Sequence, residues 1–478
     1  MGTVNKKCQV STPQEIVIQI LDEVGYVTDL YGKRVLENSC GEGNFLAEIV
    51  ERYIKDCIDR KFSTADIVFG LQRDIHGFEK DRQAHRKCIH KLNEITTKYG
   101  LNNIHWNIKR RNALMAAKSG KYQFVIGNPP YLAYPELDSS TRKYLRGHFV
   151  SCSKGKPDYY YAFMESALNS LADDGKMAYL VPGNFMKNLY GENLRQYLLP
   201  YLYKIVNYSH RRLFVGVLTS SVIIYCDRTR RTEDVQYEDR HYDRISRMPK
   251  DRMRGKWIFT DEQQEKCVRF GDYFHAGAPV ATQLNEAFVV RNWIGEDEDY
   301  VYFENSAIEK AVLRDAVSPK ALQQNVQEKI IFPYYYNEQG ALMHFSRDDF
   351  QIRFPGAMEH LEQYHGQLLE RKTDKHAKWF EFGRSQLLMH LNQEKLVMST
   401  FVSVRPRVYE LDVESVPYAG ICIIARPGYT ITQARRVLES ELFLDYVHSV
   451  GVCTSGNSYR ISPTDINSFC FPRMMMEG

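Results

Sequence analysis

Through the first third of the chain short apolar strands alternate with helices, and that rhythm leaves few folds open. Residues 12–24 have helical spacing, with Pro13 in the first turn and Glu15 close behind. Residues 34–37 read as a strand running into the turn Asn38-Ser39-Cys40-Gly41-Glu42-Gly43. Phe45, Leu46, Ile49, Val50 and Ile54 then recur at the helical period over 45–58. A second strand near 74–79 ends in Glu79, a polar helix covers about 81–99, and a strand over 104–108 leads to Arg111-Asn112. The apolar run 122–127 stops abruptly at Asn128-Pro129-Pro130-Tyr131. A helix over 159–172 and strands over 175–181 and 220–226 follow. Strands separated by helices pair in parallel, so the expected fold class is α/β, a doubly wound and mostly parallel sheet.

After about residue 227 the rhythm is lost. Residues 228–256 mix arginines, acids and tyrosines with little apolar content, which reads as a linker or extended surface loop. The expected division is a sheet domain over 1–230, a linker or surface loop over 231–260, and a mixed α+β domain over 261–478. With 478 residues the chain exceeds one ordinary core. No stretch approaches the roughly 18 consecutive apolar residues of a membrane span, and the N-terminal lysines precede no secretory signal. Ten cysteines are scattered without a CxxC pair and no HExxH occurs, so a cytoplasmic protein with reduced thiols and no metal is expected. A net charge of +4 supplies no global field; a surface for nucleic acid must be local.

Open α/β sheets bind ligands beyond the carboxyl ends of their strands, and three features fall at such ends. The glycines of Glu37 to Phe45 permit a tight turn and close approach of a ligand. Glu79, ending the second strand, can accept hydrogen bonds from two ribose hydroxyls. Asn112, after the third, stands where an adenine ring can be held. A GxGxxG fingerprint is absent because position 46 is Leu, and no GxxxxGK[ST] loop occurs. Glu37 and Glu42 flank the glycines; carboxylates repel pyrophosphate but suit a cofactor bearing an ammonium and a sulfonium. That favours S-adenosylmethionine over NAD or ATP.

Asn128-Pro129-Pro130-Tyr131 is the most specific signal in the chain. An exocyclic amine on an aromatic ring is a poor nucleophile, because its lone pair is delocalised. Two acceptors on its hydrogens, the Asn128 side-chain oxygen and the Pro129 carbonyl, favour a more tetrahedral nitrogen and carry developing positive charge. The prolines stiffen the turn. Tyr131 offers a flat face for a base.

On these motifs the chain resembles the gamma-class adenine-N6 DNA methyltransferases of bacterial restriction–modification systems. Thr12-Pro13-Gln14-Glu15 resembles that family's opening cofactor motif, Glu37 to Phe45 its glycine loop, Gly77-Phe78-Glu79 its ribose-binding turn, and Asn128 to Tyr131 its catalytic motif. The resemblance implies a Rossmann-like methyltransferase domain over 1–230 and a DNA target-recognition domain over 261–478. It implies cofactor contacts from Thr12, Glu37, Ser39, Gly41, Gly43, Glu79, Asn112 and Ala113, and a catalytic set of Asn128, Pro129, Pro130 and Tyr131. Tyr131 and Phe214 would stack on the flipped target base. Pieces of the C-terminal half, among them Ile331 to Tyr334, Trp379 to Gln386 and Tyr459 to Ser462, are similar to the family's recognition region. There Arg371, Lys372, Lys375 and Lys378, then Arg384, Gln386, Lys395, Arg405 and Arg407, are candidates for DNA contacts.

Three departures from the family pattern stand out. Asn112 replaces the usual Asp, which removes a charge near the cofactor's adenine. Glu37 replaces the commoner Asp. The spacing from Gly43 to Glu79 exceeds that of a compact unit, about 20 residues, and reads as an insertion around 55–71. Duplex DNA is the implied partner, and a restriction endonuclease would be a separate chain. The residues alone leave open cytosine N4, an RNA base or a protein glutamine as the acceptor, and a non-catalytic DNA-binding subunit.

Overall fold

The computed structural model describes residues 12–116, 121–208, 221–241, 243–259, 267–304, 306–384, 387–454 and 458–476. They divide into two compact units, 1–261 and 262–478.

The first unit runs α1 (Gln14–Val24), β1 (Val35–Glu37), α2 (Asn44–Asp59), α3 (Thr64–Asp74), β2 (Ile75–Phe78), α4 (Arg82–Lys98), β3 (Asn107–Lys109) and β4 (Tyr122–Gly127). It continues with α5 (Ser139–His148), α6 (Tyr159–Ser170), β5 (Leu171–Pro182), α7 (Glu192–Leu198), β6 (Leu202–Asn207), β7 (Ser221–Asp227), β8 (Asp234–Asp239) and β9 (Arg244–Pro249). All nine strands form one sheet in the order β3-β2-β1-β4-β5-β7-β6-β8-β9. Strands β1 to β5 are mutually parallel, while β7 lies antiparallel between β5 and β6. The expected doubly wound sheet is present. Its direction of winding reverses between β1 and β4, the switch point at which such sheets open a crevice.

Alternate residues of a strand face opposite sides, and both sides are covered here. Phe124, Ile126, Ala178 and Leu180 enter a core with α1, α2, α3 and α4. Val125, Met177, Tyr179 and Val181 enter the other, with α6 and α7. Burial on both faces is why these strands read as continuous apolar runs.

Two expectations change. The excess spacing before Glu79 is a whole helix, α3, whose N-cap Ser63 accepts from the Asp66 amide. The stretch expected as a linker or surface loop over 231–260 holds two strands of the sheet among its described residues: β8 pairs parallel with β6, β9 pairs with β8, and Trp257 is buried in the second core. Their low apolar content misleads because on β8 charge pairing adds to the apolar burial of Val235. The nearly buried Glu238 meets Lys204 at 2.7 Å and Arg240 at 2.8 Å.

The second unit is mixed α+β. One four-stranded antiparallel sheet joins Phe274–Gly277, Ile421–Ala425, Lys395–Met398 and Val408–Leu411. Another four-stranded sheet joins Val289–Val290, Lys329–Ile331, Leu313–Val317 and Val416–Pro417. Each packs into an apolar core of its own. Among the described residues no helix is long and apolar enough to cross a membrane, and no cluster of His, Cys, Asp and Glu could hold a metal.

Candidate active site

Glu37 ends β1 at the switch point. Its side chain is buried, its Oε2 meets no hydrogen-bond partner, and burial pushes its carboxyl well above the usual carboxylate range. The adjacent Asn38 is also buried: its Oδ1 accepts from the Tyr179 hydroxyl at 2.5 Å, while its Nδ2 has no acceptor. One unpaired acceptor and one unpaired donor thus stand on consecutive residues. Buried polar atoms in that state are rare and costly, which marks them as places for a ligand.

The glycine loop that follows is locked to the end of β2. The Gly41 amide donates to Glu79 Oε2 at 2.8 Å, the Asp81 amide to Glu79 Oε1 at 2.6 Å, and the Cys40 amide to the Phe78 carbonyl at 2.9 Å. Each Glu79 oxygen keeps a second lone pair for a ribose hydroxyl. Gly43 caps α2 with φ of 84°, and a Cβ there would stand 2.6 Å from Cys88 Sγ. A Cβ on Gly41 would meet nothing within 4 Å. One side of the loop is packed and the other is open.

The turn after β4 lies beside this loop. Ser39, expected to touch cofactor, donates through its hydroxyl to the Asn128 carbonyl at 3.2 Å. Asn128 Nδ2 donates to Thr12 Oγ1 at 3.1 Å, and Thr12 is buried. Pro129 is buried and Pro130 half-buried. The Tyr131 hydroxyl donates to the Leu180 carbonyl at 2.9 Å, and the ring stands edge-on to Tyr160 with centroids 6.2 Å apart. Burial pushes the Tyr131 hydroxyl up, so it stays protonated. A Cβ on Gly127 would lie 3.4 Å from Glu37 Cγ, which shows how closely the ends of β1 and β4 approach.

Asn112 caps the 3-10 turn Ala113–Met115 by accepting from the Leu114 amide at 3.1 Å, and its Nδ2 donates to the Tyr159 hydroxyl at 3.3 Å. Ala113 is buried beside it. Sequence reasoning missed Asn38, Tyr160 and Tyr179, and did not foresee the hydrogen bond from Asn128 to Thr12. Only the adjacency of Asn38 to Glu37 offered a signal; the tyrosines enter through long-range packing. Phe214 and Gln386 lie outside the described residues.

In the second unit Arg384 and Arg407 are exposed. Arg405 is exposed and pairs with Glu441 at 2.9 Å, a surface pair of little strength that leaves the arginine available. Lys395 must be withdrawn as a DNA contact. It is fully buried, and its ammonium donates to the carbonyls of Asp412, Val413 and Ser415 at 2.5, 3.3 and 3.0 Å. Arg371 is likewise committed to the fold, donating to the carbonyls of Leu368, Thr282, Trp379 and Glu381. Lys378 donates to the Phe345 carbonyl, whereas Lys372 and Lys375 are exposed.

The strand order and the cluster at the switch point define the class, a Rossmann-like methyltransferase domain. Residues 44–214 match the family model described as Eco57I restriction-modification methylase, which bears out the resemblance to methyltransferases of the restriction–modification type. The chain is 22% identical to the Type II methyltransferase M.BstVI of Geobacillus stearothermophilus, over 94% of this chain and 87% of that protein. It is 21% identical to the Type II restriction enzyme and methyltransferase RM.Eco57I of Escherichia coli, over 92% of this chain and 54% of that protein. The Type IIL restriction-modification enzyme MmeI, solved in complex with DNA, shares the fold with a TM-score of 0.54 at 14% identity, over 96% of this chain and 64% of that one. This chain therefore spans about half the length of RM.Eco57I and just under two thirds of MmeI.

Proposed function

We propose that the protein transfers a methyl group from S-adenosylmethionine to N6 of an adenine in duplex DNA. The observation that carries this reading is the Asn128 to Tyr131 turn, anchored by Thr12 and Ser39 beside the glycine loop. The loop fits the cofactor by its chemistry. The buried, unpaired Glu37 oxygen suits a cationic group, the Asn38 amide suits a carboxylate, and Glu79 suits a ribose. Asn112 and Ala113 would border the adenine ring. When bound, S-adenosylmethionine supplies a methyl group on a sulfonium.

The rest is the work of this chain's residues. With its nitrogen held by Thr12, the Asn128 amide is fixed in orientation and presents its oxygen to one amine hydrogen; the Pro129 carbonyl takes the other. Both acceptors localise the lone pair and favour charge build-up on N6. Tyr131 supplies a ring for a base extruded from the helix, since chemistry on a paired base requires that it leave the stack. Its hydroxyl, fixed on Leu180 and held protonated, is not the base. The methylated nitrogen is acidic and releases its proton to solvent water, so neither carbonyl oxygen has to act as a base. Residues 262–478 are the proposed target-recognition unit, with Arg384, Arg405 and Arg407 on phosphates or base edges. The proposed setting is a bacterial cytoplasm.

Tritiated-methyl transfer to duplex DNA, RNA and protein in parallel, followed by nucleoside analysis of the labelled DNA, tests the reading. Label in N6-methyladenine is expected. Label confined to N4-methylcytosine, RNA or protein would overturn it.

A further inference from the structure

A cavity of about 440 Å³ lies in the C-terminal unit, lined by residues that take no part in the site described above. One wall is the strand Tyr334–Tyr336, paired with Leu342–His344; Arg314 enters from the strand Leu313–Val317, and Arg353 from the last turn of the helix Arg347–Arg353. Arg314 lies over the Phe332 ring at 4.1 Å and near Tyr336 at 5.4 Å. Its side chain is only 16% exposed, and its Nη1 is buried with no hydrogen-bond partner. Glu414 comes no closer to its Nε than 3.7 Å, beyond hydrogen-bond range. Stacking satisfies the face of a guanidinium but not its N–H groups, and a buried charged donor without an acceptor is costly. Arg353 is exposed, over the rings of Phe345 at 5.2 Å and Phe354 at 5.5 Å. Tyr335 is 39% exposed, with its ring 4.8 Å from that of Phe345.

Glu414 also lines the cavity and offsets part of the charge. Two guanidiniums at one opening still leave it net positive, which suits an anion with several oxygens, and a phosphate matches their planar forks. The exposed Tyr335 ring beside them suits a flat heterocycle, as in single-strand binding. The volume falls in the range of small-ligand sites, roughly 300–1,000 Å³. Asn337 and Asn392, which also line the cavity, offer amide groups for the edge of a base. We propose that this cavity binds one unpaired nucleotide, its phosphate on Arg314 and Arg353 and its base against Tyr335. The inference does not depend on methyl transfer.

Isothermal titration of the full-length protein with the four deoxynucleoside monophosphates, with inorganic phosphate, with deoxyadenosine, and with a short single-stranded oligonucleotide tests it. Saturable binding of a monophosphate is expected, weaker for phosphate or nucleoside alone. Arg353→Ala and Arg314→Gln should each weaken it about ten-fold, the loss of one charge-assisted pair. Binding of the oligonucleotide but not the free monophosphates, with the same dependence on both arginines, would support the proposal and assign the nucleotide to a nucleic-acid strand. Should Arg314→Gln fail to fold, Arg353→Ala and Tyr335→Ala, both at exposed positions, decide the matter. No binding in any arm, or equal binding by folded variants, would overturn it. Cofactor binding measured on the same samples keeps this outcome separate from that of the methyltransferase reading.

Discussion

Asn128 Nδ2 donates to Thr12 Oγ1 at 3.1 Å across 116 residues of chain, so the segment just before α1 orients the amide that follows β4. Thr12→Val keeps the shape and removes the acceptor. A neutral hydrogen bond contributes about 0.5–1.5 kcal/mol, so single-turnover methyl transfer should slow about 2- to 10-fold. Cofactor affinity should barely change, and Thr12→Ser should restore the rate. A loss confined to cofactor affinity would assign Thr12 to the cofactor instead. Asn128→Ala removes the acceptor itself and should cost about 100-fold or more, with cofactor binding intact.

Glu37 should make cofactor binding depend on pH. Burial raises its carboxyl, so part of the population is neutral in mildly acidic solution. A cationic ligand favours the ionised form and must expel the proton. Affinity for S-adenosylmethionine should therefore rise with pH until Glu37 is ionised in the free protein, then level off. Glu37→Gln should bind weakly with a flat profile, and an equally sloping profile in that variant would remove Glu37 from the site.

The two loop glycines should respond differently to a methyl group. Both have positive φ, 53° at Gly41 and 84° at Gly43, which costs alanine about 1–2 kcal/mol. Gly43→Ala adds a clash with Cys88, whereas Gly41→Ala points into open space. Thermal unfolding should show the larger loss for Gly43→Ala. Gly41→Ala should stay folded and lose cofactor affinity, because its new methyl occupies the open side of the loop. Equal melting temperatures would contradict this assignment of sides.

Lys395 should matter for stability and not for DNA. Lys395→Met leaves three carbonyls without their donor, at a cost of about 1–3 kcal/mol. Burial presses the ammonium down to about 8, below its ordinary value of about 10.4. Between those values the unfolded chain holds a proton that the folded one has released, so this residue makes stability rise with pH across the window. Chemical denaturation at several pH values should show that rise in the wild type and less of it in Lys395→Met. Arg384→Ala and Arg407→Ala should leave stability unchanged and each reduce the salt dependence of DNA binding by about one counterion.

The sheet and the Asn128 to Tyr131 turn are legible because both rest on local rules. Apolar runs between helical periods mark buried parallel strands, and two prolines after such a run end it wherever the fold places it. Strands β8 and β9 escaped because they are held by backbone pairing and by Glu238 with its cations, which composition reads as solvent-facing charge. Burial of a single charged residue is equally opaque. Lys395 and Arg405 look alike in sequence, yet one closes a turn of carbonyls and the other faces water. The Leu396-Val397-Met398 run after Lys395 was the available hint, since a lysine opening a buried strand has its stem in the core. Contacts such as Tyr179 to Asn38, 141 residues apart, exist only once the strands are side by side.

The Ser39 hydroxyl that ties the β1 loop to the Asn128 carbonyl joins the ends of two neighbouring parallel strands. Their gauge is the distance between hydrogen-bonded neighbours, about 4.8 Å, a dimension that no side-chain substitution can stretch. On the proposed function, the reach from cofactor to target base is therefore set by the spacing of two backbones more than by the length of any side chain.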